Sequence, residues 1–219
     1  MATDLGPAQA WQKLIDGNRR FVGGTPSHPN QDVQRRTHTG TSTQEPFAVI
    51  FGCMDSRVAA ELIFDRGLGD LAVVRTAGHV VDTSVLGSLE FGVAALGIPL
   101  IIVLGHDQCG AVGAALQAHR SGSMPGGYLR EIVERLTPSL ITARHGRSTD
   151  EVDREELMVE HVRGTVDLIA ERSKVISDAI SEGRLAIAGT HYQLVRGQVH
   201  LVGQLGDLGS RYPGSAVVS

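Results

Sequence analysis

The chain has 219 residues, 42% of them hydrophobic and 20% charged. That is enough for one sizeable core and short for two, so a single domain over 1–219 is expected. Twenty Lys and Arg against 24 Asp and Glu give a formal charge of −4, which lacks the basic footprint that nucleic acid requires. The N-terminus has no basic-then-apolar leader pattern, and the longest apolar run, near 98–104, is too short to span a bilayer. A cytoplasmic protein with no membrane partner is expected.

Residues 8–22 place Trp11, Leu14, Ile15 and Phe21 near helical spacing, ahead of the breaker cluster at 23–29. This predicts an N-terminal helical arm. From 23 to 46 the chain is polar, holds Pro26, Pro29 and Pro46 and shows no periodicity, which predicts an extended loop. Residues 1–46 are therefore arm and loop, 47–205 an α/β core, and 206–219 a tail without order of its own.

Phe47 to Phe51 is a short apolar run ending at Gly52, the pattern of a strand buried on both faces. Leu71 to Val74 and Ile98 to Leu104 repeat it, with helix-like segments near 57–66, 83–96 and 109–119. Strands alternating with helices predict a mostly parallel central sheet flanked by helices. Residues 127–182 read as mostly helical. One face there carries Leu129, Ile132, Val133 and Leu136, and a second run carries Leu157, Val162, Val166, Ile169, Val175 and Ile176; between them 143–153 reads as a charged, exposed linker. Leu185 to Tyr192 reads as a last strand. Arg196-Gly197 and the run Gln198 to Val202 then give a hairpin signal and an antiparallel edge strand.

The two cysteines, Cys53 and Cys109, are too few for a disulfide scaffold. Each follows a buried strand, and carboxyl ends of parallel strands are where ligand crevices open in such sheets. His106 lies three residues before Cys109 at a helix start, so the two side chains share a face. Cys, His and Cys supply three ligands of the softness zinc takes, with a fourth position open. Packing is the commoner role of a lone buried cysteine; the coincidence of both cysteines at strand ends with that histidine is what favours metal. Asp55 and Arg57 follow Cys53 by two and four residues. Asp55 suits a metal ligand, an acceptor for water clamped by Arg57, or, with Ser56, a helix cap. His28, His38, His119, His145 and His161 fall in polar or helical surface contexts; His79 lies nearer the crevice.

The pattern Cys53-x-Asp55-x-Arg57 followed by His106-x-x-Cys109-Gly110 resembles the β-class carbonic anhydrases, with Gln44, Arg75 to Gly78 and His191 to Leu194 extending the match over most of the chain. The resemblance implies one zinc ion per chain on Cys53, His106 and Cys109, an Asp55–Arg57 dyad, and reversible hydration of carbon dioxide to bicarbonate. It also implies a dimer or tetramer with active sites at the dimer interface and N-terminal helices that embrace the neighbouring subunit. Gln44 matches a substrate-binding glutamine. Ala72 and Phe91 stand where some members place a Phe and a Tyr. Members that bind a regulatory bicarbonate use a Trp at the position of Ile50, with an Arg and a Tyr matched by Arg75 and Tyr192. From the charges, Asp55 is expected to orient the nucleophile while Arg57 keeps it ionised, the N–H of Gly110 to donate to the bound oxyanion, and Asp55 to take the fourth metal position in a closed, inactive state if the pair breaks. The alternatives are the same metal chemistry on another small substrate such as carbon disulfide, or a non-enzymatic structural zinc or redox protein.

Overall fold

The structure, a computed structural model, describes residues 5–209. In chain order the elements are α1 (Pro7–Val22), α2 (Val33–Thr41), β1 (Ala48–Cys53), α3 (Ala60–Ile63), β2 (Leu71–Thr76), α4 (Thr83–Glu90), β3 (Leu100–His106), α5 (Gly110–Ser121), α6 (Leu129–Arg144), α7 (Arg154–Arg172), α8 (Lys174–Ser181), β4 (Ala186–Tyr192) and β5 (Val199–Leu205). The strands form one sheet in the order β2-β1-β3-β4-β5, parallel except for β5, which pairs antiparallel with β4. Fold class and edge strand are as the sequence predicts.

Alternation along β1 and β3 sorts their side chains between two cores. Val49, Phe51, Cys53, Ile101 and Val103 pack under α4 to α8. Ala48, Ile50, Leu100, Ile102 and Leu104 pack under α1 and α3. α7 seats close against β3 and β4 because Gly105 and Gly189 leave room for it: a Cβ at Gly105 would lie 2.5 Å from Val162 Cγ2, and one at Gly189 2.9 Å from Val162 Cγ1 and Val166 Cγ2. Among the described residues no helix is long and apolar enough to cross a membrane.

Several expectations need correction. The loop predicted over 23–46 contains α2, which buries none of its residues and so carries no apolar stripe. Its signal is the cap: the Asp32 side chain accepts from the Arg35 N–H at 2.7 Å. The helix expected over 57–66 shrinks to the single turn Ala60–Ile63, since Arg57 and Val58 are spent in a turn on Asp55. The N-terminal arm is a helix as expected, with Trp11, Leu14 and Ile15 buried against Phe47, Ile63 and Phe64 of their own chain. Leu129, 65% exposed, and Val175 lie outside the packed stripes of α6 and α8. The linker 143–153 is anchored at both ends by the buried Ala143 and Val152. Of the tail, 206–209 are described, with Leu208 buried; the remainder lies outside the described residues.

The segment before β1 is held by Asp65, 2% exposed. It accepts from Arg20 Nε at 2.6 Å, from the Ser27 N–H and hydroxyl at 3.0 Å, and from the His28 N–H at 2.9 Å. Burial pushes this carboxyl up, but the Ser27 N–H, the Arg20 guanidinium and the His28 N–H together outweigh it and hold it well below the usual carboxylate range. An unfolded Asp titrates near ~3.9, so the ion stabilises the fold above that pH and the contribution is lost as pH falls toward the lower folded value. Asp65→Asn is expected to cost about 3 kcal/mol near neutral pH. Urea melts at neutral and acid pH check this, the gap to the parent narrowing as the solution is acidified below about pH 4.

Candidate metal centre

The chain leaves β1 toward β2 on one side and leaves β3 toward β4 on the other, so a crevice opens between the carboxyl ends of β1 and β3. β1 delivers Cys53 to it, β3 delivers His106, and Cys109 follows as the N-cap residue of α5. The two sulfurs are 4.0 Å apart, against about 3.8 Å for two thiolates on a tetrahedral metal at normal bond lengths. The Cys53, His106 and Cys109 ligand atoms all lie within 4.8 Å of one another.

The histidine supplies the test of fit. His106 Nδ1 lies 2.7 Å from the Asp107 carbonyl oxygen, which can only accept, so Nδ1 carries the hydrogen and Nε2 the bare lone pair. That Nε2 is fully buried and has no hydrogen-bond partner. An unpaired buried nitrogen is costly, and this one belongs to the group formed with the two sulfurs. Backbone carbonyl behind, lone pair in front is the arrangement of a metal-ligating imidazole, and the donor set suits a thiophilic divalent ion of zinc's type.

The thiols share charge unequally. The hydrogen bond from Cys109 pulls the Cys53 thiol down against its burial, helped by the backbone N–H groups of Asp55 and Gly78. The same bond, burial and the Cys53 charge push Cys109 up, although the N–H groups of Val112 and Ala111 at the start of α5 oppose this. A bound dication would displace the remaining proton. Gly110 opens the same helix.

Asp55 sits at the rim, its Oδ2 4.0 Å from His106 Nε2. Arg57 grips it through Nε to Oδ1 at 2.9 Å and Nη2 to Oδ2 at 2.6 Å, and the Arg57 N–H adds a third bond at 2.9 Å. The guanidinium hydrogen bonds hold the Asp55 carboxyl well below the usual carboxylate range in spite of partial burial. The loop between ligand and clamp is fixed by Arg75, which donates to the Cys53 carbonyl at 2.8 Å and the Asp55 carbonyl at 2.5 Å. Arg75 thus turns Nε and Nη2 to the loop that carries Cys53 and Asp55. Ile50 and Tyr192, matched with it to an anion pocket, are buried in the core on the other face of the sheet from Cys53.

Gln44 is not brought to this cluster. It lines a groove of about 450 Å³ with Ala72, Val74, Ser88 and Phe91 beside the edge strand β2, to which neither Asp55 nor the three ligand residues contribute. Of the histidines, His28, His38, His119 and His145 are exposed, as expected. His161 is not: it is 5% exposed and bonded to Gly78. His79 is wholly buried beside it, and burial, with His161 and His106 nearby, pushes its pKa well down.

A family model described as carbonic anhydrase matches residues 48–199. The chain is 52% identical over 204 residues to carbonic anhydrase 2 of Mycobacterium tuberculosis, covering 93% of this chain and 96% of that one. It is 52% identical over 203 residues to a carbonic anhydrase of Mycolicibacterium smegmatis, covering 93% and 97%. Among solved structures it is similar to the Coccomyxa β-carbonic anhydrase in complex with acetazolamide, with a TM-score of 0.67, 25% identity and coverage of 86% and 84%. A tetrameric β-carbonic anhydrase of Sordaria macrospora shares the fold, with a TM-score of 0.68, 23% identity and coverage of 88% and 96%.

If Cys53, His106 and Cys109 hold the metal and Asp55 does not, substitution has different consequences at the two kinds of position. Cys109→Ser is expected to retain less than about a tenth of the parent's bound metal, whereas Asp55→Ala retains it. Elemental analysis of the purified proteins checks both.

Proposed function

This chain belongs to the β-class carbonic anhydrases, whose reaction is the reversible hydration of carbon dioxide to bicarbonate and a proton; from that premise we propose that one zinc ion per chain binds Cys53, His106 and Cys109 and that Asp55 and Arg57 run the reaction beside it. The observation that carries the reading is the bidentate hold of Arg57 on Asp55 next to three converged ligands. A closed structural site would use a fourth protein ligand, whereas here the nearest carboxylate is tied to a guanidinium. The same fact disfavours a purely redox role for the cysteine pair.

When bound, zinc would supply a Lewis acid that lets water serve as a nucleophile near neutral pH. The residues do the rest. Asp55, kept ionised by Arg57, accepts the O–H of the incoming water and turns its lone pair toward carbon dioxide. Arg57 also restrains the carboxylate from closing the short distance to the metal position. Were the pair to break, Asp55 would be free to reach that position in a closed, inactive state. The N–H of Gly110, at the positive end of α5, would donate to an oxygen of bicarbonate in this reading.

The reading extends to a homo-oligomer, a dimer or a tetramer built from dimers. Gln44 lies in a groove apart from the metal cluster of its own chain, and that groove borders the unpaired edge of β2 with Val73 37% and Phe91 57% exposed. An apolar strip along an open sheet edge is a surface for a second copy, across which Gln44 would meet a neighbouring centre. The relative from Sordaria macrospora is described as tetrameric. A pair of thiolate ligands fits a reducing compartment, so the reading places the protein in the cytoplasm.

Arg57→Gln is expected to lower kcat for carbon dioxide hydration about 10²-fold with metal content unchanged, as read by stopped flow and elemental analysis on one sample. A variant as fast as the parent would overturn the role given to the clamp. Phe91→Lys is expected to shift the protein to monomer in sedimentation velocity and to lose most of its activity while keeping its metal; a fully active monomer would refute the shared site.

A further inference from the structure

His161 reaches from the middle of α7 to the turn Ala77–His79, and its Nε2 lies 2.9 Å from the Gly78 carbonyl oxygen in a buried setting. The carbonyl can only accept, so Nε2 carries the hydrogen. Burial pushes the His161 pKa down to about 4, so the ring is neutral and Nδ1 is an acceptor; it takes the Ser139 hydroxyl at 2.9 Å. The Gly78 carbonyl therefore selects the tautomer, and the Ser139 hydroxyl donates to the nitrogen left bare.

The turn so held also bonds to one of the three converged residues. The Gly78 N–H donates to Cys53 Sγ at 3.3 Å. Gly78 has φ +62°, a left-handed conformation that suits glycine, and a Cβ there would come within 2.8 Å of the Ala111 side chain at the start of α5. The peptide groups on either side of its Cα are thus tied in opposite directions, one to the helix layer and one to the sulfur. The ring of His79, 4.4 Å from that of His161 and edge-on to Phe51, closes the space around the turn.

We infer that His161 is a positioning residue for the metal centre: through Gly78 it fixes the N–H that bonds to the Cys53 sulfur, and so sets how much charge that thiolate gives to the ion. A hydrogen bond to a ligating sulfur withdraws electron density from it, and outer partners of this kind tune both orientation and donor strength. The inference rests on the reading of Cys53, His106 and Cys109 as ligands.

Cobalt(II) loaded into the metal site tests it through the thiolate-to-cobalt charge-transfer band, which moves to lower energy as the sulfur becomes more electron-rich. His161→Phe, with no donor, is expected to move the band to lower energy and to weaken zinc binding about 10-fold in chelator competition. His161→Gln, whose amide N–H replaces Nε2–H, is expected to hold both near the parent values. A folded His161→Phe protein with the parent's band overturns the inference, as does a His161→Gln protein shifted equally far. A parent protein that shows no thiolate-to-cobalt band overturns the ligand reading as well, which separates the two failures. Should His161→Phe not fold, the parent loaded with an NMR-active cadmium isotope still decides: a scalar coupling from the Gly78 amide proton to cadmium through the sulfur supports the inference, and its absence overturns it.

Discussion

The constraint on which the rest depends is the divergence of the chain at the carboxyl ends of β1 and β3. Because β2 and β4 lie on opposite sides of that pair, the chain leaves β1 and β3 in opposite directions, and the residues at the two strand ends face each other across the crevice. Cys53 and His106 arrive by strand register and Cys109 by the turn into α5, so the centre is built on rigid elements. The glycines under α7 belong to the same construction. They let the helix settle onto β3 and β4 closely enough for His161 to meet the turn behind Cys53.

Charge explains why the rim carries a clamped carboxylate. Two thiolates and a neutral imidazole cancel the charge of a divalent ion, which leaves it a weaker acid than one held by neutral ligands alone. Help from a nearby base is then worth having, but a free carboxylate 4.0 Å from His106 Nε2 would be a competing ligand. Arg57 resolves the conflict by binding both carboxylate oxygens, and Arg75 resolves the remaining freedom by holding the Cys53 and Asp55 carbonyls. One guanidinium fixes the side chain and the other fixes the backbone that bears it.

The core strands and the convergence of Cys53, His106 and Cys109 were legible in the sequence because each depends on local pattern. Strands buried on both faces read as continuous apolar runs, and cysteines just past them fall where such sheets bind ligands. α2 was not legible by periodicity, since it packs no face, although the Asp32 cap marks its start. His161 was misplaced at the surface, yet a signal existed: it lies four residues after Leu157 and four before Thr165, on the stripe that α7 buries. The arm's own packing and the loss of a full helix after Arg57 were set by tertiary contacts and by the turn on Asp55, which propensity does not encode. Gln44 could be matched to a role but not placed, because its groove opens on a sheet edge and not on the crevice of its own chain.

The most direct test of the account is a crystal structure of the zinc-loaded protein at mildly alkaline pH. The account predicts zinc on Cys53 Sγ, His106 Nε2 and Cys109 Sγ, with a non-protein oxygen as fourth ligand and Asp55 still paired with Arg57. An Asp55 carboxylate on the zinc at that pH, with the Arg57 pair broken, would contradict it.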